Sequence, residues 1–323
     1  MSYYISPLKD TVIREHVRYP NRFNIYIAGD LYYPKSIDKT NKYPAIIVGA
    51  PYGGTKEQGP CVYANELANL NYVVLTFDQV FMGESGGEPR HTSDPSLFAE
   101  SFSAGVDFLG VKVPFVDRTK IAVIGICGSA GFALSAASVD QRIQCVITTS
   151  MYDMTNMRDM MKLSKEKIIE MEKGFCEQRW KDFENGLPEY KPYFPEVPYE
   201  SEEDLPSKNK DKINNEWERF YALKRGFHHN AKGGFTTTSN LSMLQFSALN
   251  YVHEITPRPI LFCFGDIAHS RSFSETAYDK ALEPKEKCIV EGAEHIDLYD
   301  KVDKIPFQTI DKFLKKNLKI ENK

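Results

Sequence analysis

The six cysteines of this chain form no CxxC pair, and the sequence holds no apolar run long enough to span a bilayer and no block of basic residues. Scattered thiols argue against a zinc site or a disulfide framework. Cys145, Cys263 and Cys288 lie in apolar strand-like runs, as reduced core thiols do. Without a spanning segment the chain is expected to bind no membrane. A net charge of -4 with no basic block gives no reason to expect nucleic acid as a partner. The opening Met1-Ser-Tyr-Tyr-Ile-Ser-Pro7 lacks the charged region, apolar core and cleavage site of a secretion signal, so the expectation is a cytoplasmic protein. Neither an internal repeat nor a low-complexity tract stands out. The lysine-rich end, 312–323, reads as an exposed amphipathic helix with Phe313, Leu314 and Leu318 turned inward. Against these absences, 42% apolar residues over 323 positions supply a substantial core. That length suits one large α/β domain with an insertion, or two domains.

The most informative segment runs Ile121-Ala-Val-Ile-Gly-Ile-Cys-Gly-Ser-Ala-Gly-Phe-Ala-Leu134. An apolar strand enters a turn of small residues, and the turn opens into an alanine-rich helix. Cys127, between Gly125 and Ser129, occupies the position of the nucleophile in a strand–turn–helix elbow where serine is usual. Small neighbours suit such a turn, because it strains the backbone and brings strand and helix into contact. The following helix points its N-terminus at the thiol, which favours thiolate and a nearby oxyanion. A second frame, Cys127-Gly-Ser-Ala-Gly131, makes Ser129 the alternative nucleophile. Cys127 is preferred because Ile124 precedes Gly125 as an apolar strand residue should.

Strand and helix alternate through most of the chain. Strands are expected at 12–19 and 23–33, an antiparallel edge pair, then at 43–49, 72–77, 120–125, 145–149, 259–264 and 287–291. Helices are expected at 62–70, 98–109, 130–138 and 304–318. Continuous apolar strands between helices imply a mostly parallel sheet covered on both faces. The rhythm breaks at 153–251, a charged, aromatic stretch with helix-like segments at 154–174 and 210–223 and a proline-rich run at 187–206. The organisation read here is a core of 1–152 and 252–323 carrying a mainly helical cap, 153–251. Met154, Met157, Met160 and Met161 form an apolar stripe at the start of that insertion, either core packing or an adaptable acyl-binding wall.

On such a sheet the partners of an elbow nucleophile follow in the order acid, then histidine. Of seven histidines only His295, in Glu291-Gly-Ala-Glu-His295, follows the last strand at a loop. The acid is expected at Asp266, after the strand ending at Phe264, with Asp153 as the alternative. Asp266 could also merely cap its loop. Backbone N–H groups of Gly128 and of Tyr52, the latter in Gly49-Ala-Pro-Tyr-Gly-Gly54, are the expected oxyanion donors, with the Tyr52 hydroxyl a further candidate. No cofactor and no metal are expected. Gly83 and Gly86 open no dinucleotide-binding helix, and His228-His229 lacks spaced ligand partners.

Together with Thr149-Ser-Met-Tyr-Asp-Met154, Ala268-His-Ser-Arg271, Phe273-Ser-Glu-Thr-Ala-Tyr278 and Glu294-His-Ile-Asp-Leu-Tyr299, the elbow resembles a group of bacterial α/β-hydrolases related to dienelactone hydrolase, whose elbow also carries cysteine, and to X-Pro dipeptidyl peptidase-like esterases. In the latter a Pro-Tyr-Gly loop, which Pro51-Tyr-Gly53 resembles, supplies a tyrosine to the oxyanion hole. The resemblance covers essentially the whole chain and implies an α/β-hydrolase fold and acyl-hydrolase chemistry. The chain departs from dienelactone hydrolase at Ala268, where an acid is usual, and in its long insertion. The expectation is an enzyme that cleaves an ester, lactone or thioester of a small-molecule acyl substrate through an acyl-cysteine. The alternatives are an acyltransferase using the same intermediate and a degenerate hydrolase that only binds ligands. A homodimer is the assembly to test for.

Overall fold

The computed structural model describes residues 3–156, 163–208 and 210–320. Eight strands form one sheet in the order β1-β2-β4-β3-β5-β6-β7-β8. Strands β1 (Val12–Pro20) and β2 (Tyr26–Pro34) are the antiparallel edge pair, and β2 also runs antiparallel to β4 (Val73–Phe77). From there β3 (Tyr43–Gly49), β5 (Val116–Ile126), β6 (Ile143–Thr149), β7 (Ile260–Gly265) and β8 (Lys285–Val290) continue the sheet in parallel.

The continuous apolar runs are explained by two cores. Successive side chains of a strand point to opposite faces, and both faces are covered. Ala45, Ile47, Val73, Leu75, Ile121 and Val123 pack under α2 (Pro95–Lys112) and α3 (Ser129–Val139). Their neighbours Ile46, Val48, Val74, Ala122 and Ile124 pack under α1 (Gly59–Asn69) and the C-terminal helix, Phe307–Asn317. That last helix buries Phe313 and Leu314, as its pattern predicts. Helix α2 begins three residues ahead of the expected start, because Asp94 accepts a capping bond from Leu97 N–H and Pro95 sits in the first turn.

The insertion joins β6 to β7. Among the described residues its first helix is α4 (Lys165–Asn185), which overlaps the later half of the expected 154–174: Ser164 caps its start and Gly186, at φ 74°, ends it. Met157, Met160 and Met161 lie outside the described residues, whereas Met154 is half-buried beside the elbow. The second expected helix is α5 (Lys212–Tyr221), capped by Asp211 and burying Glu216, Phe220 and Tyr221. A third, α6 (Ser239–Gln245), was hidden by its short length. After β7 come α7 (Arg271–Lys280) and, within the loop that follows β8, the single turn α8 (Asp297–Asp300); the C-terminal helix is α9. Among the described residues no helix is long and apolar enough to cross a membrane.

Candidate active site

Strand β5 ends at Ile126 and α3 begins at Ser129, leaving Cys127 on the turn with φ 56°. A side chain in this left-handed region costs of order 1–3 kcal/mol, so the surroundings must impose it. Three backbone bonds do so: Cys127 N–H donates to Thr149 O at 3.0 Å, and Cys127 O accepts from Ala130 N–H at 3.1 Å and Tyr152 N–H at 3.0 Å. The small residues are required by contact. A Cβ on Gly125 would stand 2.4 Å from Ala130 Cα, and one on Gly128 would stand 2.6 Å from Tyr52 Cβ.

Ser129, the alternative nucleophile, is turned away from this point. Its hydroxyl accepts from Ile126 N–H at 2.9 Å and donates to Gly49 O at 2.8 Å, tying β3 to the elbow. The N–H groups of Gly128 and Tyr52 converge on the Cys127 thiol, where an oxyanion pair is wanted. The Tyr52 hydroxyl does not face the site. It donates to Ser93 Oγ at 2.8 Å, and its ring stacks on Phe235 of the insertion at 4.1 Å.

His295 is completely buried in the loop after β8. That loop is held by Ser150 Oγ, which donates to His295 O at 2.8 Å, and by Glu216, which accepts from Ile296 N–H at 3.0 Å. Its Nε2 faces the Tyr299 hydroxyl at 2.9 Å, and hydrogen bonding from that hydroxyl pulls the Cys127 thiol downward. Its Nδ1 is paired with the Ser270 hydroxyl. Neither expected acid makes that bond. Asp266 accepts from Gly292 N–H at 2.8 Å, tying the end of β7 to the histidine loop, and Asp153 folds back on Thr155 at 2.7 Å as a turn. The chain puts a neutral hydroxyl where a carboxylate was expected, because β7 is followed by a loop that buries Ser270 and leaves Asp266 at the rim.

Electrostatics follow from burial. Burial pushes the Cys127 thiol up to about 11, against the opposing pull of the Tyr299 hydroxyl and the Gly128 and Tyr52 N–H groups. Burial, then the neighbouring His269, holds His295 well below the usual imidazole range. The resting pair is therefore neutral thiol and neutral imidazole. The insertion supplies much of the wall. Trp217 meets His295 edge-on at 4.6 Å, and Glu216 accepts from His269 Nδ1 at 2.9 Å.

Ser270, Tyr299 and Glu216 were not found from sequence. Tyr299 carried a usable signal, since it stands one helical turn after His295; Ser270 sits inside the Ala268-His-Ser-Arg271 motif. Glu216 carried none, being distant in the chain. Elsewhere, Glu57, Asp78 and Glu84 cluster closely enough to hold a cation, but the buried Lys56 ammonium already lies among them, 2.6 Å from Glu84 and 3.4 Å from Asp78.

No family model matches the chain. The uncharacterized protein PA2218 of Pseudomonas aeruginosa (strain PAO1) is 42% identical over 320 residues, covering 97% of this chain and 83% of that protein. The chain belongs to the family of PA2218. The crystal structure of PA2218 superposes with a TM-score of 0.89, covering 97% of this chain and 96% of that one. The family extends to the uncharacterized protein YcjY of Escherichia coli K12, 32% identical over 285 residues and covering 87% of this chain and 90% of YcjY. A polyketide transferase of Gibberella fujikuroi is 25% identical over 330 residues, covering 94% and 98%. The fold is that of the α/β-hydrolases: the crystal structure of the α/β-hydrolase GrgF from Penicillium sp. sh18 matches at 24% identity and a TM-score of 0.75, covering 95% of this chain and all of that one.

Proposed function

We propose that the protein cleaves a small-molecule ester, lactone or thioester through an acyl intermediate on Cys127, with His295 as the base. The observation that carries this reading is the convergence on one buried sulfur of the two N–H groups of Gly128 and Tyr52 and of the Tyr299–His295 hydrogen bond. The sulfur attacks the carbonyl carbon, and its proton ends on His295. The two N–H groups hold the oxyanion, an interaction whose loss removes about 10²–10³ in rate when one donor is deleted in other acyl-transfer enzymes. His295 returns the proton to the leaving group, and water then releases the acyl group. Tyr52 stacked on Phe235, and Tyr152 with Trp217 beside His295, supply apolar surface near the elbow, which suits an apolar acyl group better than acetate.

Transfer of the acyl group to an amine, alcohol or thiol is the second reading. Two observations favour it: Cys127 is only 4% exposed, which limits water, and the Gibberella relative is a polyketide transferase. Intact mass after incubation with a panel of p-nitrophenyl esters and acyl thioesters tests the common step. The expected result is one acyl mass on the wild type, mapped to Cys127 and absent from Cys127→Ala. An acyl group mapped to Ser129, or a folded protein that binds the panel and is never acylated, overturns the reading; the latter outcome leaves a binding protein. Adding amine or thiol acceptors to the acyl-enzyme separates transfer from hydrolysis.

A further inference from the structure

His295 Nδ1 is paired with the Ser270 hydroxyl, so an imidazole donating Nδ1–H there keeps its lone pair on Nε2. What stands before that lone pair is not the thiol. It is the Tyr299 hydroxyl, at 2.9 Å. Hydrogen bonding from the same hydroxyl opposes the upward push of burial on the Cys127 thiol, and Tyr221 also acts on that hydroxyl. Tyr299 is completely buried, its ring edge-on to Phe220 at 5.1 Å, so packing fixes where its oxygen sits. A phenol donates one hydrogen bond and accepts others. A phenol that donates to Nε2 keeps its oxygen lone pairs to accept the Cys127 proton.

Building on the acyl-cysteine reading above, we propose that Tyr299 is a catalytic proton relay, its hydroxyl carrying the proton between Cys127 Sγ and His295 Nε2. As the S–C bond forms and the carbonyl π pair moves onto oxygen, the thiol proton passes to Tyr299 Oη and the phenol's own proton passes to Nε2. Tyr299 is unchanged at the end of the step, and His295 is an imidazolium. On collapse the oxyanion pair re-forms the carbonyl, the bond to the leaving group breaks, and that group recovers a proton along the same path in reverse. Burial holds the Tyr299 phenol far above its ordinary range, so a free phenolate is disfavoured and the two transfers are concerted. Tyr221, which belongs to the insertion, supports the oxygen while the protons move, so the insertion contributes to the chemistry as well as to the wall.

The test is Tyr299→Phe, which keeps the ring and removes the hydroxyl. Single-turnover acylation of Cys127 by a p-nitrophenyl ester is followed as the p-nitrophenolate burst in mixtures of H2O and D2O, with a melting curve for each protein. Alkylation of Cys127 by iodoacetamide, quantified by peptide mass, provides a readout that needs no substrate. The expected result is a variant that folds and acylates about 10²-fold or more slowly, in the range a lost acid–base group produces. Its Cys127 alkylation also slows at neutral pH. The wild type gives a curved proton inventory, reporting two protons in motion, and the variant loses that curvature. A folded Tyr299→Phe whose burst and alkylation both stay within twofold of the wild type overturns the relay while leaving the acyl-cysteine intact. A wild-type burst that survives Cys127→Ala overturns the acyl-cysteine reading, and the relay with it, and is told apart by that control.

Discussion

At the scale of single residues, Cys127 is a buried neutral thiol, while two other cysteines are better placed to react with a reagent from solution. Cys176 is exposed, and the thiol of Cys263 across the β7–β8 pair lowers half-buried Cys288 to about 7. At neutral pH iodoacetamide should therefore label Cys176 and Cys288 before Cys127. Labelling of Cys127 should keep rising with pH past 9 toward its raised value of about 11. Peptide mass against pH measures this, and a plateau below pH 7 at Cys127 would mean a thiolate–imidazolium pair instead. Gly125 makes a second residue-scale prediction. Gly125→Ala drives a methyl into Ala130 Cα at 2.4 Å, with backbone on both sides of the contact and no flexible side chain to yield. It should destabilise the fold by about 1–3 kcal/mol in urea unfolding and lower kcat, since the same shift moves Cys127.

At the scale of elements, the histidine loop is held partly by a helix from another region of the chain. Glu216 on α5 is 3% exposed and accepts from both Ile296 N–H and His269 Nδ1. Beside it Arg219 pairs with Glu294 at 2.7 Å, and Arg225 pairs with Asp300 at 2.6 Å. The helix and the loop therefore form one bonded unit, and displacing α5 would remove the anchors of His295. Glu216→Ala leaves two buried donors without an acceptor, a loss of about 1–3 kcal/mol. It should also reduce kcat more than it raises KM. Glu216→Gln retains one carbonyl acceptor and should recover much of the stability. Equal activity in wild type and a folded Glu216→Ala would dissociate the helix from the chemistry.

At the scale of the whole molecule, the β2–β4 side of the sheet carries a buried charge cluster that bears on pH stability. Lys56 is completely buried among Glu57, Asp78 and Glu84. Burial first, then the charge of Glu57, raises Asp78 to about 7 against the opposing pull of Lys56. A carboxyl raised in the folded state contributes stability that is fully present below its unfolded value near 3.8 and is lost as pH rises through about 7. Lys56→Met removes the compensating cation and should cost about 3–5 kcal/mol near neutral pH. The loss should shrink on acidification toward about pH 5, where Asp78, raised to about 7, is protonated. Melting temperatures of both proteins across that window decide it; a difference that stays constant with pH would mean the cluster is already neutral.

Much of the fold and part of the site were legible in the sequence because they depend on local pattern. Apolar runs of strand length between helices led to the two-sided sheet, and the antiparallel edge pair and the elbow strand could be placed from turn residues and small-residue spacing. The place of His295 in the loop after the last strand could be read in the same way. What the pattern did not reach was decided by contacts between segments remote in the chain. Ser270 in place of Asp266 at Nδ1 depends on how the loop after β7 folds under β8, a packing outcome with no periodic trace. Tyr299 reaches His295 Nε2 from a turn at 297–300 that packs against Phe220 of the insertion. In sequence, Cys127 is preferred to Ser129 only because Ile124 precedes Gly125 as an apolar strand residue. A single backbone angle, φ 56° at Cys127, separates the two side chains and leaves Ser129 bonded to Gly49, and bonds from Cys127 to Thr149, Ala130 and Tyr152 set it.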